Sequence, residues 1–418
     1  MYNWKMLDLK RHVEAYADAL LTQFPILIIL GVRQCGKTTL AKRLRPDWRY
    51  FDLENGRDFD FITQDYGFFF KEHPEHIIID EAQAAPQLFK ELRGVVDRDR
   101  QTKNRIILTG SSSSELLRQV AESLPGRAAI LELGTLKCHE FYGLPLSPFY
   151  DIFRNPITVD SREKILGMRQ YISHADLKTF FLKGGYPEPL LAKNETFYAA
   201  WMSQYAQTYI QRDIRQLFPR LDLVKFRRFM SILSGLSGTL VNKSDLGRAI
   251  QTSETTIADY LEIADGTFVW RNIPSFENSK KKSVIKTGKG IFRDSGISHF
   301  LNNIHSLPDL DRYAKIGVDF EAFVIEEVIK GLNAILPQNW TYSYLRTRNQ
   351  AEIDLILQGP FGLVPIEIKY GTDAKLNSFR AITDFVRTHD LPFGIVINNG
   401  DRVENLSKEL IQIPVTYI

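Results

Sequence analysis

The sequence predicts an α/β protein organised around a parallel sheet that feeds a phosphate-holding loop. Three observations carry that prediction. An aliphatic run, Ile26 to Leu30, leads straight into Gly31-Val-Arg-Gln-Cys-Gly-Lys-Thr-Thr39, and helically spaced Leu40 and Leu44 follow. Further short strand signals recur at Arg49 to Leu53, His76 to Asp80, Arg105 to Thr109 and Ala128 to Leu133, separated by helical or loop stretches. Alternating strands and helices imply a mostly parallel sheet covered on both faces. The third observation is His76-Ile-Ile-Ile-Asp-Glu81, an aliphatic strand closed by two acids.

At 418 residues the chain exceeds the length over which one core keeps growing, so several domains are expected. Hydrophobic content of 44% with 25% charged residues suits folded cores and no low-complexity segment. The net charge of +3 is too small to argue a nucleic-acid partner, which must rest on local patches. Two cysteines, Cys35 and Cys138, form neither a disulfide framework nor a metal cluster by spacing, which suits a reducing compartment. No apolar run reaches the length of a membrane span, and Met1-Tyr-Asn-Trp-Lys-Met6 lacks the apolar core of a signal peptide. The expectation is a cytoplasmic protein with no membrane partner.

Taken in order, the residues before Pro25 read as one helix, with Leu7, Leu9, Val13, Tyr16, Ala17, Leu20 and Leu21 near helical spacing. The loop that follows fits G-x-x-x-x-G-K-[ST]. Its residues Gly31, Val32, Arg33, Gln34, Cys35, Gly36, Lys37, Thr38 and Thr39 are expected to wrap the phosphates of ATP with backbone N–H groups. Lys37 would neutralise the β and γ phosphates, and the Thr38 hydroxyl would take Mg2+. Asp80 would hold the Mg2+ shell, and Glu81 would orient and polarise the attacking water. The next strand ends in Thr109-Gly-Ser111, where ligands sit in parallel sheets. Either Thr109 or Ser111 senses the γ-phosphate, or the stretch is a serine-rich turn whose Ser112 to Ser114 include a helix cap. Arg127, just before the following strand, reads either as an arginine finger for a neighbouring subunit or as a surface ion pair, with Arg118 the other candidate.

Residues 139–235 read as a helical lid, broken by Pro145, Pro148, Pro156 and the Gly184-Gly185 turn. A long helix is expected from near Phe197, and the charges of Tyr209-Ile-Gln-Arg-Asp213 read as interdomain ion pairs. Over 236–305, Asn242 to Ile250 and Ser253 to Leu261 have the spacing of a helix-turn-helix. Phe268-Val-Trp270 and Lys289-Gly-Ile-Phe292 read as wing strands bracketing Lys280, Lys281 and Lys282, which suit phosphate contact. Glu254, Asp259 and Glu262 at the recognition position repel phosphate, so nonspecific DNA contact and a purely structural winged helix both stand.

The last stretch, 306–418, carries a second carboxylate set. Gly317 to Gly331 reads as an amphipathic helix with Glu321 near the edge of its apolar face. Glu352 and Asp354 share one side of the strand Ala351 to Leu357, and Glu367 and Lys369 share one side of Val364 to Lys369. If the strands pair, Asp354, Glu367 and Lys369 converge; the competing account is a solvated hairpin with cross-strand ion pairs.

The order of phosphate loop, Asp-Glu strand, Thr/Ser strand and arginine resembles the AAA+ branch of P-loop NTPases. More narrowly, the chain resembles a group of archaeal and bacterial ATPases with a C-terminal domain of unknown function. The resemblance rests on Gly31 to Thr39, Ile79-Asp-Glu-Ala-Gln83, Leu108-Thr-Gly-Ser-Ser112, Ser123-Leu-Pro-Gly-Arg127, Gly184-Gly-Tyr-Pro-Glu188 and the C-terminal acids. It implies a AAA+ domain over 1–138, a lid over 139–235, a winged-helix-like domain over 236–305 and a nuclease-like domain over 306–418. Glu321, then Asp354, then Glu367-x-Lys369 resembles a PD-(D/E)xK core, with Ile353-Asp354 in place of Pro-Asp. That resemblance implies Mg2+ on Asp354, Glu367 and Glu321, with Lys369 positioning water. The expectation is ATP hydrolysis coupled to DNA binding, extending to metal-dependent DNA cleavage, in a homo-oligomer if Arg127 acts between subunits. The alternative is a nucleotide-gated protein-interaction switch on an inactive nuclease-like scaffold.

Overall fold

The structure, a computed structural model, describes residues 9–111, 120, 122–192, 194–209, 214, 215, 218, 220–276, 288–335, 339–347, 351–372 and 376–418. Several residues singled out from the sequence lie outside these: Leu7, Ser112 to Ser114, Arg118, Ile210 to Asp213, and Lys280 to Lys282. The chain divides into two units. One comprises Met1–Leu136, Tyr186–Leu191 and Gly266–Val269, and the other Lys137–Gly185, Ala192–Asp265 and Trp270–Ile418. Among the described residues no helix is long and apolar enough to cross a membrane.

In the first unit, α1 (Glu14–Gln23) precedes β1 (Ile26–Leu30) and α2 (Lys37–Leu44). Then come β2 (Arg49–Asp52), α3 (Gly56–Thr63), α4 (Tyr66–Glu72), β3 (Ile77–Asp80), α5 (Gln87–Arg98), β4 (Ile106–Gly110) and β5 (Ala128–Glu132). The sheet runs β2-β3-β4-β1-β5, every pairing parallel. All five residues of β1 and all four of β3 are buried, as strands with neighbours on both edges and helices on both faces must be. Parallel order brings the carboxyl ends of β1, β3 and β4 to one edge, where the loop, the acids and Thr109 meet.

The helix before β1 begins at Glu14, later than the apolar spacing suggested. Arg11 explains this: its N–H donates to Glu14 Oε1 (2.8 Å), and its guanidinium donates to the Cys35 carbonyl (3.0 Å) and the Gly134 carbonyl (2.8 Å). A residue anchored sideways in this way ends the helical run.

In the second unit, the helices that matter here are α6 (His174–Lys183), α7 (Glu195–Thr208), α8 (Leu223–Ser234), α9 (Lys243–Ile250) and α10 (Glu254–Gly266). The antiparallel sheet β6-β8-β7 is built from β6 (Thr239–Leu240), β7 (Trp270–Ile273) and β8 (Lys289–Phe292). The first wing strand therefore starts at Trp270, two residues beyond the expected Phe268. Phe268 sits at φ 61°, a left-handed conformation that breaks strand pairing. In α9, Asn242 caps the helix by accepting from Ser244 N–H, and Gln251 at φ 55° turns the chain into α10.

The C-terminal sheet is mixed, in the order β13-β14-β12-β11-β10-β9. Its strands are β9 (Thr341–Arg346), β10 (Glu352–Gly359), β11 (Gly362–Lys369), β12 (Gly394–Asn398), β13 (Glu404–Asn405) and β14 (Leu410–Pro414). Of the helices of this part, α11 (Ser295–Leu301) and α12 (Ile316–Asn333) precede the sheet, and α13 (Arg380–Thr388) lies between β11 and β12. The two acid-bearing strands, β10 and β11, pair antiparallel. Ile353 and Ile356 of β10 pack with Ile382 and Phe385 of α13 and with Val396 of β12, which fixes that sheet face.

Candidate nucleotide site and C-terminal carboxylate cluster

The loop between β1 and α2 has the backbone its glycines permit. Gly36 caps α2 at φ 101° with no side-chain cap, so the first-turn N–H groups of the helix are left for an anion. At Gly31 a Cβ would meet the Leu133 carbonyl oxygen at 2.1 Å, so no other residue fits. Lys37, only 4% exposed, donates to the carbonyls of Gly31 (3.0 Å) and Val32 (3.1 Å). Its ammonium thus lies folded over the loop it serves. Cys35 is buried and its thiol points to the Leu133 carbonyl (3.4 Å), a packing role. Arg33 pairs with Glu54 (3.1 Å). Gln34 adopts φ 64°, Val32 is buried, and Thr39 follows Thr38 in the first turn of α2.

Asp80 stands at the centre of the acidic side. Its Oδ2 accepts from Thr38 Oγ1 (2.6 Å) and from Tyr50 Oη (2.7 Å), and its Oδ1 accepts from Thr109 Oγ1. Burial and then the Asp80 charge push the Tyr50 phenol well up, so it stays a donor. Thr38 and Asp80 supply adjacent oxygens of the kind Mg2+ takes, and the donor set fits that ion.

Glu81 adopts φ 51° and ψ 48°, a left-handed conformation that costs a non-glycine residue about 1–2 kcal/mol. Thr109 Oγ1 holds it there by accepting from the Glu81 N–H (3.2 Å). The side chain is gripped as well: Ser111 Oγ (2.9 Å) and Gln83 Nε2 both donate to Oε2, and Gln83 Nε2 also reaches Ser111 Oγ (3.2 Å). Thr109 and Ser111 therefore have different tasks. The first bridges the two acids, and the second orients the glutamate.

Sequence reasoning misses Tyr50 and Gln83 as site residues. An aromatic on a strand reads as packing, and the Tyr50 partner lies 30 positions away. Gln83 has a signal in its place two residues after Glu81 in Asp-Glu-Ala-Gln. Arg127 makes a two-pronged ion pair with Asp97 of its own chain, Nε to Oδ1 (2.8 Å) and Nη2 to Oδ2 (2.9 Å).

The C-terminal acids also come together. Asp354 is 4% exposed and its Oδ2 accepts from Ile368 N–H (2.8 Å). Lys369 Nζ lies 2.6 Å from Glu367 Oε1 and 3.8 Å from Asp354 Oδ2, so these three residues converge. Glu321, on α12, contacts a residue that sequence reasoning leaves unmarked, Lys289 of β8. The Lys289 ammonium also lies 3.3 Å from Glu352 Oε1 and 3.9 Å from Asp354 Oδ1. Burial and then the Asp354 charge push both Glu321 and Glu367 above the usual carboxylate range, against the pull of Lys289 and Lys369 respectively. Among the described residues no group of three His, Cys, Asp or Glu side chains is arranged to hold a metal ion. Glu321, Asp354 and Glu367 thus meet around ammonium groups, and this arrangement does not fit the Mg2+ site implied for them. The sequence does carry a signal for Lys289, a lysine set between two glycines in a strand.

Three family models match successive parts of the chain. Residues 23–142 match an AAA domain, residues 174–307 a domain of unknown function (DUF8612), and residues 317–418 another (DUF4143). The chain is 28% identical over 420 residues to the uncharacterized proteins Rv2008c of Mycobacterium tuberculosis and Mb2031c of Mycobacterium bovis, across 99% of this chain and 85% of each relative. Similar solved structures include the Walker-type ATPase PABY2304 of Pyrococcus abyssi, with a TM-score of 0.44 and 15% identity over 71% of this chain and 99% of that one. Another is the Holliday junction branch migration motor RuvB of Thermotoga maritima, with a TM-score of 0.24 and 15% identity over 65% and 88%.

Proposed function

From the AAA-type ATPase domain that occupies residues 23–142, we propose that this chain binds ATP with Mg2+ and hydrolyses it at the edge formed by β1, β3 and β4. The observation that carries the proposal is the double role of Thr109, whose one hydroxyl binds the Asp80 carboxylate and the Glu81 N–H. The loop N–H groups and Lys37 hold the phosphates, Lys37 turning from the Gly31 and Val32 carbonyls to do so. Thr38 and Asp80 would hold Mg2+, which when bound would screen phosphate charge. Two donors occupy Glu81 Oε2, which leaves Oε1 to accept a proton from water as its oxygen attacks the γ-phosphorus. The bond to the bridging oxygen breaks, and ADP and phosphate leave.

Lys37→Ala should abolish ATP binding and hydrolysis. Glu81→Gln should keep binding but lose about 10²–10⁴-fold in kcat, the usual worth of a positioned general base. Hydrolysis at the wild-type rate in both variants would remove the proposal.

For the second unit, two readings are kept. Coupling of hydrolysis to nonspecific DNA contact is supported by the succession of α9, a tight turn and α10, and opposed by Glu254, Asp259 and Glu262 on α10. The same hydrolysis assay, run with and without DNA at low salt, tests it: stimulation supports coupling, and absence of binding sinks it. A nucleotide-gated interaction switch on an inactive nuclease-like scaffold is favoured by the Lys289 ammonium among the C-terminal acids. Neither reading rests on Arg127 acting between subunits; within its own chain Arg127 pairs with Asp97.

A further inference from the structure

Lys289 is the middle residue of Gly288-Lys-Gly290 at the start of β8, and it is 2% exposed. Its place is fixed from both sides. β8 pairs with β6 through Lys289 and Leu240, and with β7 through Lys289 and Ile273. The flanking glycines make this possible, because a Cβ at Gly290 would meet the Trp270 ring at 1.9 Å and one at Gly288 the Asn272 side chain at 2.2 Å. With those side chains lying across the glycines, β8 presents the lysine at the register that its two neighbouring strands set.

What it is delivered to is a ring of acids from other elements. The ammonium contacts Glu321 of α12, Glu352 of β10 at 3.3 Å and Asp354 of β10 at 3.9 Å. Lys369 approaches the other oxygen of Asp354 (3.8 Å), and Arg346 approaches Glu352 (3.5 Å). Four carboxylates, counting Glu367, are therefore interleaved with three side-chain cations. An ammonium taken out of water costs several kcal/mol unless carboxylates surround it, and carboxylates crowded together need a cation for the same reason. A divalent ion would need those oxygens at about 2.0–2.6 Å, in the volume the ammonium fills.

We infer that Lys289 is the resident cation of this cluster, its ammonium holding Glu321, Glu352 and Asp354 in place of a divalent metal ion. The three cations offset all but one of the four carboxylate charges, and the cluster takes a divalent ion only when the ammonium is gone. Glu367 Oε2, buried and without a hydrogen-bond partner among the described residues, is then a further oxygen for the incoming ion. The inference goes beyond the ATP reading and does not depend on it, since no nucleotide enters the test.

The test is a calorimetric titration of the full chain with Mn2+ in the absence of nucleotide, comparing wild type, Lys289→Met, Asp354→Asn and the Lys289→Met/Asp354→Asn pair. Lys289→Met is expected to gain one Mn2+ per chain, and the pair to lose it again. Wild type and Asp354→Asn are expected to give the same isotherm. A Mn2+ site in wild type that Asp354→Asn removes would overturn the inference, and so would a folded Lys289→Met chain that gains no site. If Lys289→Met does not fold, Lys289→Met/Glu321→Gln, which removes one charge of each sign, should restore a native circular dichroism spectrum. Failure of that charge-balanced variant to fold would show that Lys289 does more than neutralise charge and would also overturn the inference.

Discussion

Thr109→Val removes a single hydroxyl from a fully buried position while nearly conserving volume, and so isolates what that hydroxyl does. Two hydrogen bonds are lost. The bond to the Asp80 carboxylate contributes about 1.5–3 kcal/mol, and leaving the Glu81 N–H without its acceptor costs about 1–3 kcal/mol more. Partial relaxation recovers some of this, because Glu81, no longer tied at φ 51°, can return to a right-handed conformation and shed about 1–2 kcal/mol of strain. The net expectation is a loss of about 3 kcal/mol of stability in the ATPase unit. The same relaxation moves the carboxylate, and a misplacement near 1 Å costs about 100-fold in rate. The assay is steady-state phosphate release beside urea unfolding. The expected signature is a fall in kcat with little change in KM, since neither lost bond belongs to the loop that holds the phosphates. Thr109→Ser keeps the hydroxyl and should behave like wild type. A Val variant as fast as wild type, or a Ser variant as slow as the Val one, would refute the argument.

Two further predictions concern α12. Burial pushes Asp319 up to about 7, with Lys315 pulling it back; it lies 3.7 Å from His299, which burial pushes down to about 4. Because the folded value lies above the unfolded 3.8, this contribution to stability is full below about pH 4 and is lost as pH rises through about 7. A rise of that size corresponds to about 4 kcal/mol. Asp319→Asn should therefore gain a few kcal/mol on wild type between pH 5 and pH 8 in urea melts, and parallel pH profiles would dismiss the idea. Burial pushes Glu327 up, but Lys137, Lys330 and the Cys138 N–H hold it at about 2. Lys137→Met should cost about 1–3 kcal/mol, because Lys330 and the Cys138 N–H still hold that carboxylate, and Lys137→Met/Glu327→Gln should cost less. Equal losses in the single and double variants would count against the pairing.

The first unit is legible because β1, β3 and β4 are largely aliphatic runs that the parallel sheet buries on both faces, and because a phosphate loop is written in residues with backbone consequences. Gly31 is needed because of its contact with the Leu133 carbonyl, and Gly36 because of its φ of 101°. What cannot be read is which hydroxyl meets which acid. Thr109 and Ser111 are equivalent on paper, and only the strained turn at Glu81 gives them separate tasks. The strand boundary at Phe268 escapes for a similar reason, since an aromatic run with β propensity says nothing of a left-handed φ.

The C-terminal cluster shows the same limit more sharply. Two-residue periodicity correctly puts Glu352 with Asp354 and Glu367 with Lys369, because side-chain alternation is local and β10 pairs with β11 through a short turn. The counter-ion is not local. Lys289 arrives from a different sheet, 63 residues before Glu352 and 32 before Glu321. A pattern of acids followed by Glu-x-Lys specifies where oxygens gather but is silent about what neutralises them. A metal ion and a buried ammonium leave the same trace in those residues. They differ in what surrounds the cation: an ammonium must come on a chain segment rigid enough to stay buried, and the glycines flanking Lys289, which leave room for the Trp270 and Asn272 side chains to pack over β8, are the sequence mark of such a segment.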